Sequence, residues 1–336
     1  MNLDSFLRSR PRTASAQALF EFLSGKRKAT SHKNTIHLFQ TLHPLCMAFP
    51  DLDHVVYSDL VGWVEALTAR YAVGSLRSKL IDIRTFFRWC VDTERVGVDV
   101  AKGLKLPRVR PRDKSASEAD YLKVVKKLAE GLEGRIVRNV FGQWEIAPGT
   151  KWLMRSHVHT MRDLFLLVLL YETGCRAGEA AKLSTRAMKQ ALSAPSGSKD
   201  APVYTLAVVG KTGVRYRSFT RATADLWGLW ESVRPKDGRE WVLVKWHKVG
   251  EVPKPLHSED VTQIVSRRCA FCGVKPFRPH ALRHAKAQRA KRVGGVQVAA
   301  ALLDHHDLGS TLFYTADNEA ELNAAALASG FNSDLW

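Results

Sequence analysis

The amino-acid sequence lacks a segment that could cross a membrane. A transmembrane helix needs roughly 20 consecutive, mostly apolar residues. The longest apolar run, LFLLVLLY at residues 164–171, is much shorter. The N-terminus, MNLDSFLRSRPRTAS, also lacks the apolar stretch of a secretory signal. We therefore expect a soluble, cytoplasmic protein without a membrane partner.

Cysteine is scarce and shows no pairing pattern. The five cysteines are an odd number at mostly isolated positions, Cys46, Cys90, Cys175, Cys269 and Cys272, which argues against a disulfide framework. CAFC at residues 269–272 has the spacing of two metal ligands, but no second CxxC or nearby Cys/His pair completes a zinc site. We expect these two cysteines to be packing residues.

Acidic residues are outnumbered in both halves of the chain. Lys and Arg total 51 against 33 Asp and Glu, which gives a formal net charge of +18. Residues 1–112 contain 18 Lys and Arg against 10 Asp and Glu, a net charge of +8, and the remainder has +10. Both halves therefore suit the same polyanion. Nucleic acid is the first candidate, followed by a membrane surface or an acidic protein.

A stretch rich in Pro, Lys, Arg and Ser, KGLKLPRVRPRDKSAS at residues 102–117, divides the sequence. Apolar residues before it recur at helical spacing. After it, helical segments surround VYTLAVVGKTGVRYRSFT, which predicts two strands joined at GKTG. We expect a mainly α protein with a small antiparallel β-sheet in its second domain.

The predicted organisation has four parts. They are a basic N-terminal segment (1–30), a helical domain (31–106), a basic linker (107–117) and a second domain (118–336). Residues 134–159 lose periodicity and indicate an insertion or an ordered loop, and residues 317–336 predict an amphipathic helix.

Basic side chains on one predicted helix and on the linker are candidates for DNA contacts. An ordinary solvated face would explain those of the helix, but the basic linker beside it favours contacts with phosphates. The candidates are Arg77, Lys79, Arg84 and Arg88 on the helix and Lys105, Arg108, Arg110 and Arg112 on the linker.

Three motifs place polar residues where packing does not require them. Arg176 directly follows a very apolar helix, and Glu179 is a possible intrahelical partner three residues on. Lys211 lies at the hairpin tip, where an exposed lysine is common. HALRH puts His280 and Arg283 on one helical face, although a solvated basic helix would also explain it.

The stretch LLDHHDLGSTLFY adds His305, His306 and Tyr314. Each motif alone has an ordinary explanation, but together they suit a phosphodiester. Two guanidiniums can bind its non-bridging oxygens, a lysine can protonate a leaving alkoxide, and a tyrosine with a free pKa of about 10 can attack phosphorus once deprotonated. No carboxylate cluster beside these motifs suits Mg²⁺, so we predict neither a metal nor a cofactor.

The same motifs resemble those of the tyrosine recombinase (phage integrase) family. YETGCRAGEAAKLS is similar to its TG-x-R-x-x-E-x-x-x-L box, GKTGVRYR to its lysine-bearing hairpin, HALRH to H-x-L-R-H, and LLDHHDLGSTLFY to L-G-H followed by the tyrosine. The helical domain also looks like the family's SAM-like core-binding domain. The resemblance covers the chain from about Ser31 to the C-terminus, without residues 134–159.

The resemblance implies roles for individual residues. Arg176 and Arg283 would bind the scissile phosphate, and Lys211 would be the general acid for the 5′-oxygen. His280 would accept or share a proton near Tyr314, the nucleophile that forms a 3′-phosphotyrosine bond. Glu179 would be an orienting residue.

A histidine before Tyr314 would donate a hydrogen bond to a non-bridging oxygen. Counting back from Tyr314 selects His305, which we favour, whereas counting forward from Gly294 selects His306. Asp304 stands where the family usually has glycine.

The resemblance further implies a site-specific recombinase or integrase that needs neither metal nor ATP. Its two domains would close as a clamp around double-stranded recombination sites. A homo-tetramer would act on two duplexes, and accessory DNA-bending proteins are further candidate partners. It would be associated with the nucleoid when bound to DNA. The C-terminal helix would dock on a neighbouring protomer or pack on its own domain.

Three other functions are compatible with parts of this pattern. A type IB topoisomerase has similar chemistry but relaxes one duplex, so strand exchange between paired duplexes separates the two. A DNA-binding regulator with the same fold would form no covalent adduct on a nicked substrate. A basic RNA-binding module would not use Tyr314, and the sequence shows no aromatic-rich RNA-binding signature.

Overall fold

The computed structural model describes residues 1–108, 115–138, 144–148, 155–210, 213–235, 240–246, 251–303 and 327. The chain divides into two compact units, Met1–Arg112 and Asp113–Trp336. Both are mainly helical, and small antiparallel sheets occur in the second, which confirms the predicted fold class. No helix in the described part of the chain has the length and apolar character that a bilayer crossing requires.

The first unit is built from helices around one apolar core. They are α1 (Leu3–Arg8), α2 (Ala14–Ala29), α3 (His32–Ala48), α4 (Tyr57–Thr68) and α5 (Val73–Asp92), followed by a 3₁₀ turn (Val100–Gly103). Side-chain caps begin α1, α2 and α3: Asn2 Oδ1 accepts the Ser5 N–H at 2.8 Å, Thr13 Oγ1 accepts the Ala16 N–H at 3.1 Å, and Ser31 Oγ accepts the Asn34 N–H at 3.4 Å.

The first thirty residues belong to this core and do not form the separate basic segment that we predicted. Leu3 and Phe6 of α1 and Leu19 and Phe22 of α2 are buried in the same cluster as Phe86 of α5. Their spacing of three residues places each pair on one helical face. The prediction rested on the basic residues of this stretch and did not consider the apolar pattern beside them.

The second unit is organised around a buried central helix, α7. Its helices among the described residues are α6 (Glu118–Glu130), α7 (Arg155–Thr173), α8 (Ala177–Ala181), α9 (Thr185–Ser193), α10 (Arg221–Val233), α11 (Ser258–Phe271) and α12 (Pro279–Leu303). Every residue of α7 from Met161 to Thr173 is buried, because α6, α10, α12 and the sheet pack around it. This explains why its sequence is apolar on all sides.

The predicted hairpin is confirmed. Strands β3 (Ser196–Gly197), β4 (Pro202–Gly210) and β5 (Gly213–Thr220) form an antiparallel sheet in that order, and the β4–β5 register ends at the pair Gly210 and Gly213. The two residues between them, including Lys211, lie outside the described residues.

The region predicted as an insertion or ordered loop, residues 134–159, contains regular structure. Strands β1 (Ile136–Arg138) and β2 (Trp144–Ile146) pair antiparallel, and α7 has already begun at Arg155. Strands this short carry too few residues for an alternating pattern to be recognised. A third pair consists of β6 (Val244–Lys245) and β7 (Lys254–Pro255).

Cys269 and Cys272, the two cysteines of CAFC, are free and buried at the end of α11. This confirms the expectation that they are packing residues.

Helix α12 is interrupted at one of its two adjacent glycines. Gly295 has φ +80° and ψ 178°, a backbone conformation that side chains with a Cβ rarely adopt. The helix axis is interrupted there, and the second segment runs to Leu303. Leu302 then packs with Ala290 of the first segment and Val203 of β4.

A buried carboxylate fastens α7 to the sheet and to α10. Glu172 accepts the Thr220 N–H at 3.0 Å and the hydroxyls of Thr220 and Thr223 at 2.5 Å each. Lys286 of α12 is buried nearby. Burial lowers the pKa of Lys286 to about 8, although the charge of Glu172 acts in the opposite direction.

We predict that Lys286→Met changes the pH dependence of stability. The folded-state pKa of about 8 lies below the ordinary lysine pKa of 10.5. Between these pH values the unfolded chain therefore binds more protons than the folded one, and the stability of the natural protein rises with pH. The free energy of unfolding of the natural protein should gain up to about 3 kcal/mol relative to the variant across this interval.

Urea unfolding at several pH values measures this difference. Lys291→Met, at an exposed position on the same helix, is the matched control and should show no such gain. A pH-independent difference between the natural protein and Lys286→Met would contradict the prediction.

Candidate active site

Gly174, a glycine with a left-handed backbone conformation, links the end of α7 to Arg283, the second of the two arginines predicted to bind phosphate. Gly174 has φ +61° and donates its N–H to Leu170 O at 3.0 Å, which ends the helix. Its carbonyl then accepts a hydrogen bond of 2.6 Å from Nη1 of Arg283, which is only 2% exposed. This turn therefore brings the TG motif and the HALRH motif together.

Arg176 and Glu179 form the opening of α8. Glu179 Oε2 accepts the Arg176 N–H at 2.8 Å, and Oε1 accepts from Arg176 Nη1 at 2.9 Å. The Glu179 side chain is 4% exposed, whereas that of Arg176 is 46% exposed. The carboxylate thus holds the arginine by its backbone and its guanidinium, and part of the guanidinium remains open to solvent.

Glu179 lies within a cluster of positive charge. Burial by itself would raise its pKa, but the two hydrogen bonds from Arg176 and the charges of Arg217 and Arg176 outweigh burial and lower it. Conversely, burial together with the charges of Arg217 and Arg176 lowers the pKa of Arg283 to about 10, while the charge of Glu179 acts to raise it. Arg176 and Arg217 therefore act on the ionisation of Glu179, and Glu179 in turn acts on that of Arg283.

The end of the hairpin approaches the same carboxylate. A Cβ on Gly210 would lie 3.4 Å from Glu179 Oε1 and 3.0 Å from Arg215 Nε, so glycine leaves the room that this approach requires. Gly210 directly precedes Lys211. The chain therefore enters the turn that carries Lys211 beside Glu179.

Arg217 was missed by the sequence-based prediction. It is 1% exposed on β5, and its Nη1 donates to Leu302 O at 3.1 Å, at the end of α12. Strand alternation could have identified it, because Arg217 shares a face of β5 with buried Phe219. Among the basic residues of this hairpin, the motif GKTGVRYR pointed only to Lys211 as a catalytic residue.

His280 lies one turn before Arg283 on α12. It is exposed, and its ring meets that of His284 edge-on with centroids 4.5 Å apart. The two residues were predicted to share one helical face. Arg283 is buried, whereas His280 is exposed at the surface of the unit.

Four predicted catalytic residues lie outside the described residues: Lys211, His305, His306 and Tyr314. The same holds for Asp304 and for the linker residues Arg110 and Arg112. Within the described ranges, no group of three or more His, Cys, Asp or Glu side chains is placed to bind a metal ion.

The candidate DNA-binding residues of the first unit lie on two sides of α5. Arg84 and Arg88 line a groove of about 220 Å³ together with Leu106, and Arg77 Nη1 donates to Pro107 O at 3.0 Å. Lys79 lies elsewhere, with Nζ 3.4 Å from Thr41 Oγ1 and above the Tyr71 ring.

Lys105 and Arg108 are exposed on the segment that runs along α5. With Arg77, Arg84 and Arg88 they form a basic surface of the first unit, which we call the α5 surface.

Solved structures of DNA recombinases share this fold. A lambda integrase (residues 75–356) dimer bound to a COC′ core site matches with a TM-score of 0.58 and 14% identity, over 94% of this chain and 98% of that one. The XerH site-specific recombinase bound to palindromic difH substrate matches with a TM-score of 0.55 and 16% identity, over 96% and 93% of the two chains. The chain therefore shares the fold of these recombinases.

Relatives by sequence agree with the fold. Tyrosine recombinase XerD of Agrobacterium fabrum is 24% identical over 269 residues, which are 76% of this chain and 75% of that protein. Tyrosine recombinase XerC 2 of Ralstonia nicotianae is 27% identical over 258 residues, 74% of this chain and 62% of that protein.

The model of the phage integrase family matches residues 152–321, slightly more than half of the 336-residue chain. The chain therefore belongs to the phage integrase family and is a site-specific DNA recombinase.

We predict that Glu179→Gln lowers the free energy of unfolding by about 2 kcal/mol at pH 7, because buried guanidiniums lose the charge that balances them. Solvent screens the part of this loss that comes from the more exposed Arg176. The folded-state pKa of Glu179 is lowered, so this stabilisation is present above the unfolded-state pKa and is lost as the pH falls through the folded-state value.

Urea unfolding at pH 7 and at acidic pH tests this, with the exposed Glu133→Gln as the control. Equal stability of Glu179→Gln and the natural protein at pH 7 would show that the carboxylate does not hold the cluster.

Proposed function

We propose that the protein cleaves and rejoins DNA strands by transesterification through a 3′-phosphotyrosine intermediate. One observation carries the proposal: the first arginine motif, the second arginine motif and the hairpin end all meet at Glu179. Such a cluster has an excess of positive charge and an opening at Arg176, which suits a phosphodiester.

Each guanidinium has a distinct part in the proposal. Arg176 is partly open to solvent and fixed by Glu179, so it can bind a non-bridging phosphate oxygen without further ordering. Arg283 is held by the Gly174 carbonyl through Nη1, and because a guanidinium has five donors the same side chain can also bind a phosphate oxygen. Charge that develops on these oxygens in the transition state would be stabilised by donors already in place.

The chemical step uses the residues that the motifs identify. The Tyr314 oxygen would attack phosphorus and lose its proton towards His280, while the bond to the 5′-oxygen breaks and Lys211 supplies the proton of the leaving hydroxyl. His305, or alternatively His306, would donate a hydrogen bond to a non-bridging oxygen. A 5′-hydroxyl from another strand would then attack the phosphotyrosine bond and release Tyr314, so neither ATP nor a metal is required.

The proposed DNA partner is supported by the positive charge of the chain, and the proposed assembly by its similarity to a recombinase of known structure. The α5 surface would contact phosphates, and the basic linker from residue 107 to 117 would cross the backbone between two domains that close on the duplex. Lambda integrase has been solved as a tetramer bound to a Holliday junction, with a TM-score of 0.58 and 15% identity to this chain. By analogy we propose a homo-tetramer on two double-stranded recombination sites.

We predict that Tyr314→Phe abolishes covalent protein–DNA adducts and leaves DNA affinity within about twofold, because only the attacking oxygen is removed. A nicked DNA duplex that traps the intermediate, followed by denaturing electrophoresis, measures the adduct, and a mobility shift measures binding. Adducts that persist in the variant would move the nucleophile to another residue.

The two histidines can be separated with the same assay. We predict that His305→Ala slows adduct formation by about a hundredfold, as expected when one oxyanion donor is lost, and that His306→Ala changes it little. The reverse order would assign the role to His306 and show that counting back from Tyr314 chose the wrong register.

A further inference from the structure

Arg217 is a buried cation for which neither the motifs nor the proposed chemistry accounts. It is 1% exposed in the second unit. A buried guanidinium requires hydrogen-bond acceptors and opposite charge to offset the loss of hydration. Leucine or methionine would fill a comparable space without that cost, so the position needs a specific reason for arginine.

The first reason lies in what Arg217 connects. Its Nη1 donates to Leu302 O at 3.1 Å, so Arg217 joins β5 to the second segment of α12, which the structure describes as far as Leu303. Leu302 precedes His305 by three residues and Tyr314 by twelve, and Arg217 follows Lys211 by six.

The break at Gly295 makes this tether more important. Because the backbone of Gly295 is not helical, the segment after it is not held in line by the first segment of α12 through a continuous hydrogen-bond ladder. Packing of Leu302 with Val203 and Ala290 and the bond to Arg217 attach it to the rest of the unit. Apolar packing has little directional preference, whereas the hydrogen bond fixes the Leu302 carbonyl relative to β5.

The second reason is electrostatic. The charge of Arg217 helps to lower the pKa of Glu179, and it lowers the pKa of Arg283 as well. Arg217 therefore belongs to the same charge cluster as the two arginines of the phosphate site. A planar guanidinium with five donors can serve the carbonyl of Leu302 and face this cluster at once, which an ammonium does less well.

We propose that Arg217 is a positioning residue for strand cleavage. It would hold the end of α12 against β5, and thereby fix where the chain departs towards His305 and Tyr314 relative to Glu179, Arg176 and Arg283. This role rests on the function proposed above. Arg217 need not touch the DNA, so its loss should affect the rate of the chemical step and spare the affinity.

The test compares Arg217→Met and Arg217→Lys with the natural protein in single-turnover cleavage of a nicked duplex at saturating protein. Arg217→Met should form the adduct at least about tenfold more slowly, since small misplacements of reacting groups cost rate. Its DNA dissociation constant should stay within about twofold. Arg217→Lys should recover part of the rate, because it keeps the charge and one donor.

Arg221→Met is the matched control. Arg221 is four residues further on, at the start of α10, with its side chain 46% exposed beside Asp225, and its variant should cleave at the natural rate. If Arg217→Met does not give a natural circular dichroism spectrum, Arg217→Lys carries the comparison. It should then be slower than the natural protein at unchanged affinity, and a natural rate would overturn the proposal.

A 5′-phosphorothiolate substrate identifies the residues through which Arg217 acts. Its leaving group needs no general acid, so it should restore cleavage by Lys211→Ala but not by Arg217→Met. Restoration of both would mean that Arg217 acts through the hairpin lysine, which would overturn positioning through α12. Absence of adduct with the natural protein would instead refute the proposed function, and a natural cleavage rate in Arg217→Met would refute only the role of Arg217.

Discussion

The ionised carboxylate of Glu179 is the interaction on which the candidate site depends. Arg176 is bonded to it directly, and the charges of Arg217 and Arg283 reach it through a buried environment. Like charges gathered in a protein interior repel one another, and burial adds the cost of lost hydration. One carboxylate among several guanidiniums reduces that repulsion and still leaves an excess of positive charge, which a phosphate can neutralise.

The surrounding fold supplies rigid supports for this cluster. The apolar helix α7 ends at a left-handed glycine, Gly174, whose carbonyl binds Arg283. The hairpin places Gly210 beside Glu179, and Glu172 bonds α7 to Thr220 at the far end of β5 and to Thr223 of α10. The charged groups are thus attached to a helix and a sheet that are themselves fastened together, so little ordering remains when a phosphate binds.

Prediction from the sequence worked where local patterns are strong. The hairpin around GKTG and the buried character of α7 follow from strand alternation and from a uniformly apolar helix. It failed at the N-terminus, where the buried faces of α1 and α2 were overlooked among basic residues, and at β1–β2, whose strands are too short to show a period.

By itself the sequence determined which residues are candidates for the reacting groups and their order, since the motifs with Arg176, Lys211, Arg283 and Tyr314 can be recognised along the chain. Only the tertiary structure decided which side chains share one electrostatic environment. Arg217 is 85 residues from its acceptor Leu302, and Arg283 is 109 residues from Gly174. Contacts over such separations depend on how α7, α12 and the hairpin pack, and local propensity holds no information about that packing.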